Sequence, residues 1–425
     1  MILGENEVAG TIDLNSCFGM VNRNKTIVEA GIHFITPVWG EAHTKCFAEV
    51  CLPTLLAPGN IPSLSNAERC VYNIYTSPDD QRVIEHSVAY KRLVQYLQVL
   101  FHPLPAEVDK ITNRYFVQSD CYRNGITAAD KVGAAMIFLN ADVIVADGGI
   151  RALLDIAKSG KRAILAMGVR LIKENIVPYL LEHYRSKDGS VISITPRELV
   201  AVALPNLHPI SKTHLYHGEG EGFNPAGLFW RVGDQGILAR CFHLHPVMVY
   251  PKIKYAPFSI TIDEDYLVAA CPDWDETYVV QDSDQFCAFE LSNADRRIPA
   301  MQRSSPLGDI IRWATSYSNA YHRHFVRYVI RIHCSQSNRD WDSIQRESDR
   351  VIFWVRLGLL LAALRQRIRK NVTLAENYLD TKGIMKQQFP WSLFKMLAAA
   401  TVIAAFLILR SGVRGWRRAR QFLQG

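Results

Sequence analysis

The chain lacks the short motifs that mark several large enzyme classes. No GxxxxGK[ST] run occurs, which argues against a P-loop kinase or NTPase. No GxGxxG follows the first apolar run, so a standard dinucleotide-binding fold is disfavoured. Neither a GxSxG elbow nor HExxH is present, which removes the usual serine-hydrolase and zinc-peptidase readings. No CxxC pair exists among the cysteines at 17, 46, 51, 70, 121, 241, 271, 287 and 334. Such an odd, scattered set fits reduced core residues of a cytosolic compartment better than a zinc site or a disulfide framework. The start, MILGENEVAGTIDLN, has no basic stretch leading into an apolar one, so a secretory signal is not expected. No repeat of 20–50 residues and no low-complexity tract appears.

What is present is ordinary globular composition, 48% hydrophobic and 21% charged over 425 residues, enough for two or three domains. Charge is uneven. Residues 351–425 hold 13 Lys/Arg against 2 Asp/Glu, so the net +7 of the whole chain leaves residues 1–350 at −4. The basicity therefore belongs to the tail. A basic tail suits nucleic acid or an anionic membrane surface, and the apolar residues around this one favour membrane over nucleic acid. Trp391–Leu409 (WSLFKMLAAATVIAAFLIL) has no polar face. At about 1.5 Å per residue it approaches the roughly 30 Å of a bilayer core. Arg410, Arg414, Arg417, Arg418 and Arg420 follow it. The positive-inside rule puts those arginines in the cytoplasm. The remainder stays on that side if Val351–Leu364 dips in as a second element or if the last helix lies in the interface. A tail anchor with the arginines outside is the third arrangement, and a buried C-terminal helix the plain one.

Upstream, apolar runs alternate with helical spacing. Ile32–Val38 reads as a buried strand and Glu41–Leu56 as a helix stopped by Ala57-Pro58-Gly59. Val71–Tyr75 reads as a second strand and residues 81–101 as a helix. Tyr115–Val117 is expected as a third short strand, followed by a helix over Arg123–Gly133 and a strand over Ala135–Leu139. A helix over Ile150–Ser159 and a strand over Arg162–Met167 come next. Residues 189–300 carry shorter strands, and 305–335 and 340–385 look helical. This order predicts an α/β fold with a mostly parallel sheet flanked by helices. The expected organisation is an arm over 1–30, a catalytic domain over 31–300, a helical region over 301–390 and a membrane helix with basic tail over 391–425.

The most informative stretch is Tyr122–Gly148. Its apolar strand ends in Asn140-Ala141-Asp142, and the tips of buried strands are where open α/β sheets bind ligands. A hard carboxylate oxygen there suits a divalent cation holding phosphates, although Asp142 could equally cap the next segment or pair with a base.

Tyr122-Arg123-Asn124-Gly125, the helix, and the strand ending Asn140-Ala141-Asp142 resemble the nucleotide-sugar glycosyltransferases of the GT-A fold. The likeness covers about residues 31–290. Phe34–Gly40 is similar to the opening strand that flanks the nucleotide, which would put Thr36 and Pro37 at the donor, with Asp79 and Arg123 as further contacts. The resemblance implies Mn²⁺ or Mg²⁺ held by Asp142, with Asn140 standing where the family's first aspartate is usual. It also implies a late histidine ligand, His243 or His245 of Cys241-Phe242-His243-Leu244-His245-Pro246. Two imidazoles on one strand face suit a metal or a pyrophosphate, one core and one surface histidine being the plain alternative.

Inverting transfer needs a carboxylate base, and Asp263, Asp265, Asp282 and Asp284 follow apolar runs, although single turn carboxylates are more often solvated. Arg170 and Arg197 are weaker phosphate candidates, His208 reads as structural, and Tyr321–His324 lies on a basic amphipathic run. The expectation is a metal-dependent glycosyltransferase at the cytoplasmic face of a membrane, taking a nucleotide sugar and a glycan or lipid-linked acceptor. A different nucleotidyl or phosphoryl transferase, or an inactive recruitment module, would be the alternatives.

Overall fold

The computed structural model describes residues 30–381, apart from 106, 109–110, 112–113, 219–221, 260, 299, 303–304 and 336–338. Its strands are β1 (Ile32–Pro37), β2 (Val71–Thr76), β3 (Gln98–Pro103), β4 (Ala135–Phe138), β5 (Val143–Val145), β6 (Ala163–Ala166), β7 (Arg170–Ile172), β8 (Gly227–Val232), β9 (Gly236–Cys241), β10 (His245–Val249), β11 (Thr277–Val279), β12 (Ala288–Ser292) and β13 (Ile330–His333). Seven form one sheet in the order β11-β6-β10-β4-β1-β2-β3, and two three-stranded sheets run β5-β12-β7 and β13-β9-β8.

β1 (IHFITP) and β4 (AMIF) are buried at every position, as expected of central strands covered on both faces. β1 pairs in parallel with β2 and β4, and β10 runs antiparallel between β4 and β6. This parallel-dominated sheet flanked by helices fits the α/β class expected from the sequence. It gathers the C-terminal tips of β1, β2 and β4 along one edge. The Arg114–Val132 helix packs on β1 and β4. Gly125 makes that approach close, since a Cβ there would fall 2.7 Å from Ile35 Cδ1. All eight described cysteines are free, and seven are buried.

Four expected elements differ. Residues 81–101 are not one helix but part of the Pro78–His86 and Val88–Leu93 helices followed by β3, which is the third strand. β3 is a half-exposed edge strand, so its Leu100, with Leu97 just before it, mimics a helical stripe without belonging to one. Tyr115–Val117 is the start of the long helix, with Tyr115 and Phe116 about two-thirds exposed. Residues 305–335 include the Pro306–Tyr317 and Ala320–Phe325 helices and then β13.

The fourth difference concerns Val351–Leu364. It belongs to the 43-residue Arg339–Thr381 helix, whose Val351, Ile352, Val355 and Leu359 pack with Trp230, Phe242 and Ile310 in a second core over β8 and β9. Gly358 permits this contact, because a Cβ there would meet Ile311 Cδ1 at 2.4 Å. Val351, Ile352, Val355 and Leu359 thus serve a protein core, while Phe353, Leu360 and Leu364 of the same stretch are exposed. From Leu360 to Lys370 no residue is buried. Trp391–Leu409 and its arginines lie outside the described residues. Among those described, no helix is long and apolar enough to cross a membrane.

Candidate functional site

A cleft of about 560 Å³ opens at the C-terminal edge of β1 and β4. Pro37, Val38 and Trp39 reach it from the end of β1, and His43 from the following Glu41–Cys46 helix. Gly40, at φ 86°, turns the chain between them. The turn is held by the buried Asp80, which accepts from Gly40 N–H (3.0 Å), Thr44 Oγ1 (2.8 Å) and Ser77 Oγ (2.6 Å). Asn140 and Asp142 line the cleft after β4, and Arg114, Tyr115 and Gln118 line it from the first turns of the long helix.

The small sheet β5-β12-β7 completes the wall. Glu290 on β12 stands in register between Val143 of β5 and Arg170 of β7. Leu291 N–H donates to Asp142 O (2.7 Å), which draws β12 against the strand tip. The Glu290 carboxyl therefore meets both the Asp142 carboxyl and the Arg170 guanidinium. Arg170 also donates to Ser292 Oγ (2.9 Å). Burial and the neighbouring Asp142 push the Glu290 carboxyl up to about 8, against the pull of Arg170 and Arg296. A group so tuned exchanges its proton near neutral pH.

Around this pair the cleft is cationic. Arg114, Arg170, Lys173 and Arg296 all line it, against Asp142, Glu290 and Asp295. Their fields reach one another: His43 is pushed below its ordinary value by burial, with Asp142 opposing and Lys173, Arg114 and Arg296 adding to the shift. Lys173 opens the Lys173–His183 helix, whose N-terminal end favours anions.

The donor set expected for a divalent cation is not free. Asn140 Oδ1, the only oxygen that side chain offers, already accepts from Tyr122 Oη (2.6 Å) and Gln118 Nε2 (2.9 Å). Asp142 shares its carboxyl with Glu290. A Mn²⁺ or Mg²⁺ bridged by the Asn140 and Asp142 side chains would have to displace the Tyr122 and Gln118 donors from Asn140 Oδ1.

The other expected residues lie elsewhere. Thr36 is buried under the cleft, hydrogen-bonded to Tyr72 Oη (3.0 Å). Asp79 pairs with Arg82 on the surface. Arg123 pairs with Asp120 and donates to Phe258 O (3.3 Å), on a helix face that does not line the cleft. His243 and His245 do not share a strand, since β9 ends at Cys241 and β10 begins at His245. His243 instead packs against His322, ring centroids 4.0 Å apart and tilted by 37°, and faces Asp263 Oδ2 at 3.5 Å. Although burial opposes it, hydrogen bonding to His243 and Thr261 draws Asp263 down to about 2. His245 hydrogen-bonds Phe138 O (3.3 Å) and lines a small cavity behind Asn140 and Glu290. Asp265 accepts from Ser259 N–H (2.6 Å). His208 is structural, bonded to Asn293 O (2.8 Å) and Ile210 N–H (3.1 Å).

Asp282, Asp284 and His333 form a group that could hold a metal ion, with one ligand atom from each within 4.8 Å of the others. His333 Nε2 lies 2.9 Å from Asp282 Oδ1, and Arg197 grips both oxygens of Asp284. None of these residues lines the cleft. Glu290, Lys173, Arg296, Arg114 and His43 were not singled out from the sequence. The one available sign was a lone acid, Glu290, inside the apolar AFELS run.

No protein-family model matches the chain. No curated protein matches it. Among solved structures, mouse xyloside xylosyltransferase 1 in its apo form is similar at 17% identity, over 37% of this chain and 61% of that one, with TM-score 0.21. Mannose-1-phosphate geranyltransferase from Thermus thermophilus is similar at 16% identity, over 33% and 41%, also at 0.21. Staphylococcus aureus TarS is similar at 8% identity, over 44% and 40%, at 0.23. The chain thus spans less than two thirds of the length of each.

Proposed function

We propose that residues 31–300 form a glycosyltransferase that moves a sugar from a nucleotide-sugar donor onto an acceptor hydroxyl. The observation that carries this reading is the Asp142–Glu290 carboxyl pair set among four cationic side chains at the sheet's ligand edge. The cations suit a diphosphate, and Trp39 and Tyr115 at the rim suit a base or sugar ring. The carboxyl pair supplies the proton acceptor. As the acceptor oxygen attacks the sugar carbon, its proton passes to the pair, and the carbon–oxygen bond to the diphosphate breaks with its electrons leaving on the diphosphate. Glu290, near 8, is matched to that task. Pro37 stays a donor contact in this reading, and Asp142 moves from the cation-holding role expected of it into the carboxyl pair. Asp263, Asp265, Asp282 and Asp284 have no part in the cleft.

The basic, apolar C-terminus motivates the second half of the proposal, that Trp391–Leu409 tethers the enzyme at the cytoplasmic face of a membrane, near a glycan or lipid-linked acceptor. The test is turnover of a panel of sugar nucleotides by the purified full chain, native against Asp142→Asn and Glu290→Gln. Release of nucleoside diphosphate by the native chain alone supports the reading. Release of pyrophosphate assigns a nucleotidyl transfer instead, and equal activity in all three chains overturns the site. Recovery of the full chain in the soluble fraction of gently lysed cells removes the tether.

A further inference from the structure

Resting on the donor site just proposed, we infer that this cleft neutralises the donor's diphosphate with its own side-chain cations, so that donor binding needs no divalent metal ion. Three observations converge. The strand-tip residue where a second carboxylate would be expected is Asn140, and its carbonyl oxygen is saturated by Tyr122 and Gln118. Glu290, beside Asp142, is ion-paired to Arg170, so part of the acids' charge is already met from within the protein. The same cleft holds more cationic side chains than its acids consume. Among the described residues, the Arg114 and Arg296 guanidiniums have neither a hydrogen bond nor an ion pair, and Lys173 reaches only the carbonyl of Ala42, at 3.3 Å.

Charge arithmetic then decides between the two ways of holding a diphosphate. A site built for a dication presents open carboxylate oxygens and few cations, because a dication beside several guanidiniums is repelled. This cleft sets four cationic side chains against three acids, Asp142, Glu290 and Asp295, and one of those acids, Glu290, is already paired with Arg170. Guanidinium and ammonium donors bond phosphate oxygens directly, and they stabilise the charge that builds on the leaving diphosphate as the sugar–oxygen bond breaks.

The test is isothermal titration of uridine, guanosine, cytidine and thymidine diphosphates into the full chain, in excess EDTA and again in Mn²⁺. At least one nucleotide is expected to bind in EDTA with an affinity within about threefold of that in Mn²⁺. Lys173→Ala with Arg296→Ala is expected to weaken it by about tenfold or more. Binding seen only with Mn²⁺ overturns the inference while leaving the proposed transferase standing. Absence of binding in both conditions overturns the donor site itself, and with it the inference. Undiminished binding by the double variant in EDTA also overturns the inference. The EDTA comparison uses the native chain alone, so it decides even if the double variant fails to fold.

Discussion

Two regions of this molecule gather acids and bases, and they differ in whether the charges are spent. At the Asp282–Asp284–His333 group every charge has a protein partner. Arg197 clasps Asp284, and Asp282 accepts from His333 and from the Asp284 N–H. At the cleft Glu290 is paired with Arg170 beside Asp142, and Arg114, Lys173 and Arg296 are left over facing Asp295. Both places follow apolar strands, so strand-end position alone does not separate them. Surplus charge facing open space does, because an unpaired guanidinium in a cleft gains most when an anion arrives.

The sharpest way to break the contrast is to neutralise one acid in each region. Glu290→Gln is expected to lower turnover by about 10²–10⁴-fold while Asp282→Asn leaves it unchanged, read from product release at saturating donor. Equal losses would place the chemistry at the triad.

The next largest effect is on stability, in a third cluster of titratable groups. Burial first, then His243, lowers His322 to about 4. The unfolded chain takes up that proton near pH 6.5 while the native one resists it. Stability is therefore intact above pH 6.5 and is lost as pH falls towards 4, by up to about 3 kcal/mol. Urea titrations between pH 7 and pH 4 should show this decline, and His322→Gln should make it shallower.

Asp80→Ala leaves Gly40 N–H and Thr44 Oγ1 without their acceptor. It should cost about 1–3 kcal/mol in urea unfolding, and it should raise KM through the loosened Trp39 turn. Arg197→Ala removes a half-exposed pair and should cost no more than about 1 kcal/mol. A larger loss would show that the triad's charges hold the fold more firmly than those of the cleft.

The sheet was legible because β1, β2, β4 and β6 are short apolar runs bounded by turns, and burial on both faces leaves that mark in one dimension. The Asn140–Asp142 tip was legible for the same reason. β3 was missed because an edge strand exposes half its residues, and its apolar spacing merges with the helix before it. The site's other half was hidden by register. Glu290 meets Asp142 only because β12 pairs with β5 and β7, strands 120 and more residues away in sequence. His243 and His245 misled because β9 and β10 belong to different sheets, and the break between them falls where an unbroken strand was expected.

The Arg339–Thr381 helix has a mechanical consequence. Among the residues whose burial is described its last core residue is Leu359, and the helix runs on to Thr381, 22 residues further. At ~1.5 Å per residue that is a boom of about 33 Å. An attachment made beyond Thr381 would therefore hold the body at a distance set by helix turns and not by the reach of a slack cord.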